Sequence, residues 1–285
     1  MNLPRDTLDL LRAPRSLYRR IARSAYKRLA ERQFRRMRRG HRDACWCGGA
    51  LLPFKWHPSY GVCASCRCYV NRRPPLSEEM SRLYSFDLYW HTRQQLKQHP
   101  TIEHRSAYDR SDGRLDYWLG LIQRYAPSQG TAVEVGCAHG VLLAELRTRG
   151  YTCIGVEPDA RTAEWTRQRT GLDIRSGFFP QVDLPTCDLF LAFDVIEHSP
   201  DPEAFMIGAT KVTRRGGVAI VQTPIAGEDP DLPFGDMFEK VFDDVEHLYI
   251  FSEESLHRLA ELAGFRLVTV DRWRSAHEIL ILERR

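Results

Sequence analysis

From residue 129 onward, short apolar runs alternate with amphipathic stretches, a spacing that predicts strand–helix–strand units. Residues 131–135 form one apolar run, which ends in the small-residue loop Gly136-Cys137-Ala138-His139-Gly140. A helical stretch follows, carrying Val141, Leu142, Ala144 and Leu146, and a second apolar run closes on Glu157. Next come a helix over 160–169, a short strand at 172–174 and a longer strand over 187–194. A helix through Met206 and Val212 leads to Gly216-Gly217 and a strand over 218–224. After Ser252, a plausible N-cap, Leu256, Leu259, Ala260 and Ala263 recur at i, i+3, i+4 and i+7 until Gly264 stops the helix. Two last strands, 265–270 and 278–282, complete a pattern of class α/β.

Strand, tight loop, helix, strand, acid is the order of half a nucleotide-binding α/β fold. Small residues at 136, 138 and 140 let backbone approach a ligand, and an acid at the second strand's end can accept hydrogen bonds from two ribose hydroxyls. A dinucleotide fingerprint would place a third glycine where Leu142 stands, so the spacing suits a ligand without a pyrophosphate.

Glu134-x-Gly136-x-Ala138-x-Gly140 and Glu157 resemble motif I and the acidic loop of class I S-adenosylmethionine (SAM)-dependent methyltransferases. Asp194-Val-Ile-Glu197-His198 and Glu246-His247-Leu-x-x-Phe-Ser252 look like segments of small-molecule members related to ubiquinone-pathway and polyketide-sugar enzymes. The resemblance covers about residues 129–285. It implies a Rossmann-like seven-stranded sheet and SAM bound by Glu134, Gly136, Cys137, Ala138, Gly140, Glu157, Pro158, Phe178 and Asp194. His198 is the first candidate for general base and His247 the second, with Asp194 beside them in the catalytic set; loop-backbone bonding or capping of the helix near Asp201 is the structural alternative for His198. In similar enzymes Asp194, Glu197 and His198 can form a divalent-metal site, a carboxylate-carboxylate-imidazole set that suits Mg²⁺ or Mn²⁺ poorly to moderately.

Net charge is uneven. Fourteen lysines and arginines against four acids give residues 1–44 a charge of +10, which leaves −6 for the rest of a chain whose total is +4. Leu17, Ile21, Ala25 and Leu29 recur at helical spacing among those cations, so residues 1–44 read as a basic amphipathic arm. Its partners are the chain's own acidic face or a sister subunit in a homo-oligomer, then an anionic membrane surface, and last nucleic acid. With no apolar run near the ~18 residues of a membrane span, the default location is cytoplasmic, peripheral to the inner membrane face if the arm lies on lipid.

Five of the eight cysteines crowd into residues 45–68. Cys45-Trp-Cys47-Gly-Gly and Cys63-Ala-Ser-Cys66-Arg-Cys68 place thiolates in two close groups, the layout of a tetrahedral Zn²⁺ site. Such a site supplies the folding energy a ~30-residue module lacks. Cys45, Cys47, Cys63 and Cys66 are the expected ligands and Cys68 an ordinary thiol, with disulfides as the alternative. The segment resembles the zinc ribbon found ahead of some methyltransferases in natural-product and glycan gene clusters, although its first pair is Cys-x-Cys.

The expected organisation is therefore a basic helical arm (1–44), a zinc-ribbon-like module (45–75), a helical linker and lid (76–128) and a SAM-dependent methyltransferase domain (129–285). The expected acceptor is a small molecule, most simply a sugar, glycan or secondary-metabolite hydroxyl. An RNA methyltransferase and a non-catalytic SAM-fold scaffold are the competing readings.

Overall fold

The computed structural model describes residues 32–226, 241–274 and 277–285. Seven strands form the main sheet: β4 (Gly130–Val135), β5 (Tyr151–Glu157), β6 (Asp173–Ser176), β7 (Cys187–Phe193), β8 (Thr213–Pro224), β10 (Phe265–Trp273) and β11 (His277–Arg284). Their order is β10-β11-β8-β7-β4-β5-β6, and β11 pairs antiparallel with both neighbours while β4 to β8 pair in parallel. The order reverses between β4 and β7, where open α/β sheets bind ligands at the carboxyl ends.

Strand alternation explains the layers. Val133, Val135, Phe190 and Ala192 face one buried cluster with Phe205, Met206, Leu256 and Leu259, while Ala132, Leu189 and Leu191 face a second with Leu142, Leu143 and Leu146. Period 2 thus sends successive side chains to opposite faces, both covered by helices. Full burial of each such side chain contributes about 1.5–3 kcal/mol.

The helices begin where the sequence offers caps. Asp159 accepts from Thr162 N at the start of α6 (Ala160–Thr170), Asp201 from Ala204 N at α7 (Pro202–Val212), and Ser252 from Ser255 N at α8 (Glu253–Leu262). Helix α5 (Val141–Thr148) starts at Gly140, whose φ of 69° is left-handed.

The expected helical linker and lid (76–128) is several short helices: α1 (Ser77–Leu83), α2 (residues 86–96, with a π-helical turn at Tyr89–Arg93), α3 (Ile102–Ser111) and α4 (Arg114–Tyr125). Pro100 lacks the N–H a continuing helix needs, and Gly113, at φ 82°, turns the chain before α4. Leu115, Trp118, Leu119 and Ile122 on α4 are buried core, as their spacing predicts.

A second sheet has the order β1-β2-β3-β9, formed by β1 (Leu51–Pro53), β2 (Tyr60–Cys63), β3 (Tyr69–Asn71) and β9 (Tyr249–Ile250). The cysteine-bearing segment therefore borrows a strand from the 129–285 region, with Tyr69 opposite Ile250 and Val70 opposite Tyr249. The described end of the basic arm docks on the chain itself: Phe34 and Met37 are buried, and Arg39 reaches Asp244 at 3.2 Å. Most of the expected basic arm, residues 1–31, and residues 227–240 lie outside the described residues. No described helix is long and apolar enough to cross a membrane.

Candidate active site

A cleft of about 540 Å³ opens at the carboxyl ends of β4, β5 and β7, lined by Glu134, Ala138, Glu157, Phe178, Asp194 and His198 among others. Gly136, Cys137 and Pro158 also line it; Gly140 does not, because it serves as the N-cap of α5. The loop after β4 folds back on β5: Gly136 and Cys137 donate their N–H groups to the Val156 carbonyl at 2.8 and 3.1 Å. Gly136 sits at φ 73°, and a Cβ there would lie 2.6 Å from Cγ2 of Val195, so both backbone shape and space demand glycine.

Two buried acids face this cleft. Burial pushes the Glu157 carboxyl up to about 8, although it accepts from the Ala138 N–H at 3.2 Å. Burial, aided by the nearby charge of Asp109, pushes Glu134 to about 8 as well, and its Oε2 has no hydrogen-bond partner among the described residues. A buried carboxylate oxygen left unpaired costs its full desolvation penalty, so this wall is built for a donor that a ligand brings. The ammonium and ribose hydroxyls of SAM are donors of that kind, and the residues present fit it.

His139 is a loop-anchoring group. Its Nε2 lies 3.0 Å from Asp109 Oδ2 on α3 and its Nδ1 3.2 Å from Ser106 Oγ, so the loop is tied to the lid helices. Burial opposes the Asp109 charge, but the His139 bond and Arg105 outweigh it and hold the carboxyl below its ordinary range. Nothing in the local sequence spacing signals this pairing across 30 residues.

After β7 the chain turns sharply at Asp194, a non-glycine residue at φ 56°. Asp194 Oδ1 accepts from Gln222 Nε2 at 2.9 Å, and Gln222 Oε1 accepts from Trp118 Nε1 at 2.9 Å. Asp194 is thus held by β8 and α4 at the cleft edge. His198 lines the cleft, and its Nδ1 lies 2.9 Å from the Glu246 carbonyl. That carbonyl can only accept, so Nδ1 carries the proton and Nε2 keeps its lone pair. Burial lowers the His198 pKa, which favours the neutral ring. Asp201 caps its own helix, so capping α7 is not the task of His198.

His247 does not line the cleft. Its ring sits 5.0 Å behind that of His198, with Nδ1 2.6 Å from the Val241 carbonyl. The ligand atoms that come together here belong to Glu197, His198 and His247, all within 4.8 Å, and Asp194 is not part of that set. Glu197 is fully buried, its carboxyl raised well above the ordinary range by burial, and Oε2 accepts from Thr223 Oγ1 at 2.9 Å. Tyr84 Oη and Trp90 Nε1, on the lid side, are buried polar atoms without hydrogen-bond partners among the described residues. Phe178 is 38% exposed at the cleft, and the half-buried Phe179 also lines it while packing edge-on against Phe205.

The cysteine cluster lies away from this cleft. Sulfurs of Cys45, Cys47, Cys63 and Cys66 lie within 4.8 Å of one another, and the Cys45–Cys66 and Cys47–Cys63 pairs are 3.6 and 3.5 Å apart. Tetrahedral Zn–S bonds of ~2.3 Å give sulfur–sulfur edges of ~3.8 Å, so the set fits one Zn²⁺. Those separations far exceed a disulfide bond of ~2.05 Å, and all eight cysteines are free. Cys68 neighbours Cys45 but lies outside this set of four, its Sγ 3.2 Å from the Ile250 carbonyl. A Cβ on Gly49 would lie 2.5 Å from Cys63 Sγ, so the turn accepts only glycine.

Comparison with known proteins agrees with this geometry. The "Methyltransferase domain" family model matches residues 103–270, more than half the chain. A probable S-adenosylmethionine-dependent methyltransferase of Mycolicibacterium smegmatis is 36% identical over 147 residues, 47% of this chain and 51% of that protein. A ubiquinone biosynthesis O-methyltransferase of Rhodopseudomonas palustris is 32% identical over 97 residues, 32% of this chain and 38% of that protein. The chain thus spans about half or less of the length of these relatives. The crystal structure of a Mesorhizobium loti S-adenosylmethionine-dependent methyltransferase superposes with a TM-score of 0.50 at 14% identity, covering 61% of this chain and 99% of that one. The strand order, the acid-flanked glycine loop and these matches together place the chain in the family of class I SAM-dependent methyltransferases.

Proposed function

We propose that the chain transfers a methyl group from SAM to a hydroxyl of a small-molecule acceptor, a sugar, glycan or secondary metabolite. The observation that carries this reading is the His198 imidazole, which lines the cleft with Nδ1 committed to the Glu246 carbonyl, while Nε2, 3.7 Å from Glu197 Oε1, keeps its lone pair. Bound SAM supplies an electrophilic sulfonium methyl. Glu157 accepts from the ribose hydroxyls, and the unpaired Glu134 Oε2 accepts from the ammonium. Nε2 of His198 removes the acceptor's hydroxyl proton, a contribution of ~10² to 10⁴-fold in rate. Tyr84, Tyr89 and Trp90 wall the cleft from the lid side and exclude water. Holding donor and acceptor in line supplies much of the remaining acceleration.

A structural Zn²⁺ on Cys45, Cys47, Cys63 and Cys66 belongs to the same reading, since four thiolates leave no open position for substrate. Glu197, His198 and His247 form a ligand set that would accept Mg²⁺ or Mn²⁺ only weakly, being rich in imidazole. The test is incubation with SAM and a panel of methyl glycosides and catechols, read by mass spectrometry. An O-methylated product that is lost in His198→Ala supports the reading. Methylation at nitrogen or carbon only, or full activity in the variant, overturns it.

A further inference from the structure

Residues 243–248 form a wall behind His198, and three parts of the chain grip them. From the cysteine-bearing sheet, Asn71 donates Nδ2 to the Asp244 carbonyl at 2.9 Å and its backbone N–H to the Leu248 carbonyl at 2.9 Å. Tyr60 Oη donates to the His247 carbonyl at 2.8 Å. From α2, Arg93 donates Nε to Glu246 Oε1 and Nη2 to Asp243 Oδ1, both at 2.6 Å, and Lys97 Nζ lies 2.7 Å from Asp243 Oδ2. From the loop after β7, the Glu197 carbonyl accepts from the Leu248 N–H at 2.8 Å. The centre of this network is inaccessible, with Asn71 0% and Glu246 2% exposed, while Lys97 and Asp244 at its edge are partly exposed. Two acids face two cations there, so the buried charge is balanced.

We infer that Asn71 and Arg93 are positioning residues for methyl transfer: gripping residues 243–248 from two sides, they hold the Glu246 carbonyl where it fixes the His198 tautomer. Neither side chain lines the cleft, so neither touches substrate. His198 also faces Glu197 Oε1 at 3.7 Å and the rings of His247 at 5.0 Å and Tyr84 at 6.1 Å. Without the carbonyl in place, a proton on Nε2 becomes equally available, and that nitrogen is then blocked as a base. Arg93 donates to two carboxylates that Lys97 Nζ also bridges, at 2.7 and 3.0 Å, and its planar fork adds the fixed orientation that a point-charge ammonium lacks. The inference rests on the assignment of His198 as the base.

The test uses the full chain with ¹⁵N-labelled histidine and compares wild type, Asn71→Ala and Arg93→Lys. The His198 signals are assigned by their loss in His198→Gln. Wild type should show His198 protonated at Nδ1. Both variants should show mixed tautomers, while affinity for S-adenosylhomocysteine (SAH) changes by less than about twofold. If Asn71→Ala does not fold, Arg93→Lys, which keeps the charge, carries the measurement. An unchanged Nδ1–H signature in the folded variants overturns the inference, as does a loss of SAH affinity equal to the loss of structure. Turnover with a catechol probe separates the two levels. A wild-type rate in His198→Ala removes the base assignment and the catalytic role of the grip with it, whereas a slow His198→Ala with unchanged tautomers sinks the grip alone.

Discussion

The backbone N–H of Ala138 and the carboxyl group of Glu157 meet at 3.2 Å, joining the glycine loop to the end of β5. That single bond does not offset burial, and the acid is pushed up to about 8, as is Glu134. The sign follows from linkage. An acid whose folded pKa is raised stabilises the fold below its unfolded value, ~4.3, and that stability is lost as pH rises toward 8. The ligand-free chain should therefore weaken between pH 5 and pH 8, measured as unfolding midpoints. SAH engages the ionised carboxylates, so its affinity should rise over the same range with release of protons, read from calorimetry in buffers of different ionisation enthalpy.

Gly136→Ala should weaken SAH binding by at least about tenfold. The left-handed φ costs a side-chain-bearing residue roughly 1–2 kcal/mol, and the new methyl group would lie 2.6 Å from Val195. Titration calorimetry checks this, with an unchanged affinity as the contrary result.

His198→Ala should slow methyl transfer by about 10² to 10⁴-fold while SAH affinity stays at the wild-type level. Because burial lowers the His198 pKa, the wild-type rate should hold down to a pH below the ordinary imidazole range before falling. A rate profile against pH, with kcat and SAH affinity measured separately, decides this.

Metal analysis should find one Zn²⁺ per chain. Cys47→Ser should lose it and Cys68→Ser should keep it, since Cys68 Sγ bonds the Ile250 carbonyl instead of joining the cluster. Chelation should lower the unfolding midpoint of the catalytic part as well, because β3 pairs with β9 and Ser252 Oγ donates to the Cys66 carbonyl.

Period-2 and period-3.6 patterning exposed β4 to β8 and the cap at Ser252, and cysteine spacing exposed the four clustered thiols, because each is local in sequence. The broken lid was less legible: residues 76–128 read as a helical linker and lid, without the interruptions at Pro100 and Gly113 that divide it into short helices. Pairings across the fold were not legible at all. Asp109 with His139, Gln222 with Asp194, and Arg93 with Asp243 join residues 28 to 150 positions apart, and no periodicity encodes them. His247 illustrates the consequence. Its motif placed it near the acceptor, but the Val241 carbonyl and the Tyr60–His247 bond seat it behind His198.

The central claim, that SAM lies across the ends of β4 and β5 with its ribose on Glu157, is tested most directly by calorimetric titration of SAH into the full chain and into Glu157→Ala. One site per chain in wild type, and a loss of about 100-fold or more in the variant from two charge-assisted hydrogen bonds, is the predicted result. Equal affinities in the two proteins, or no binding to either, would contradict it.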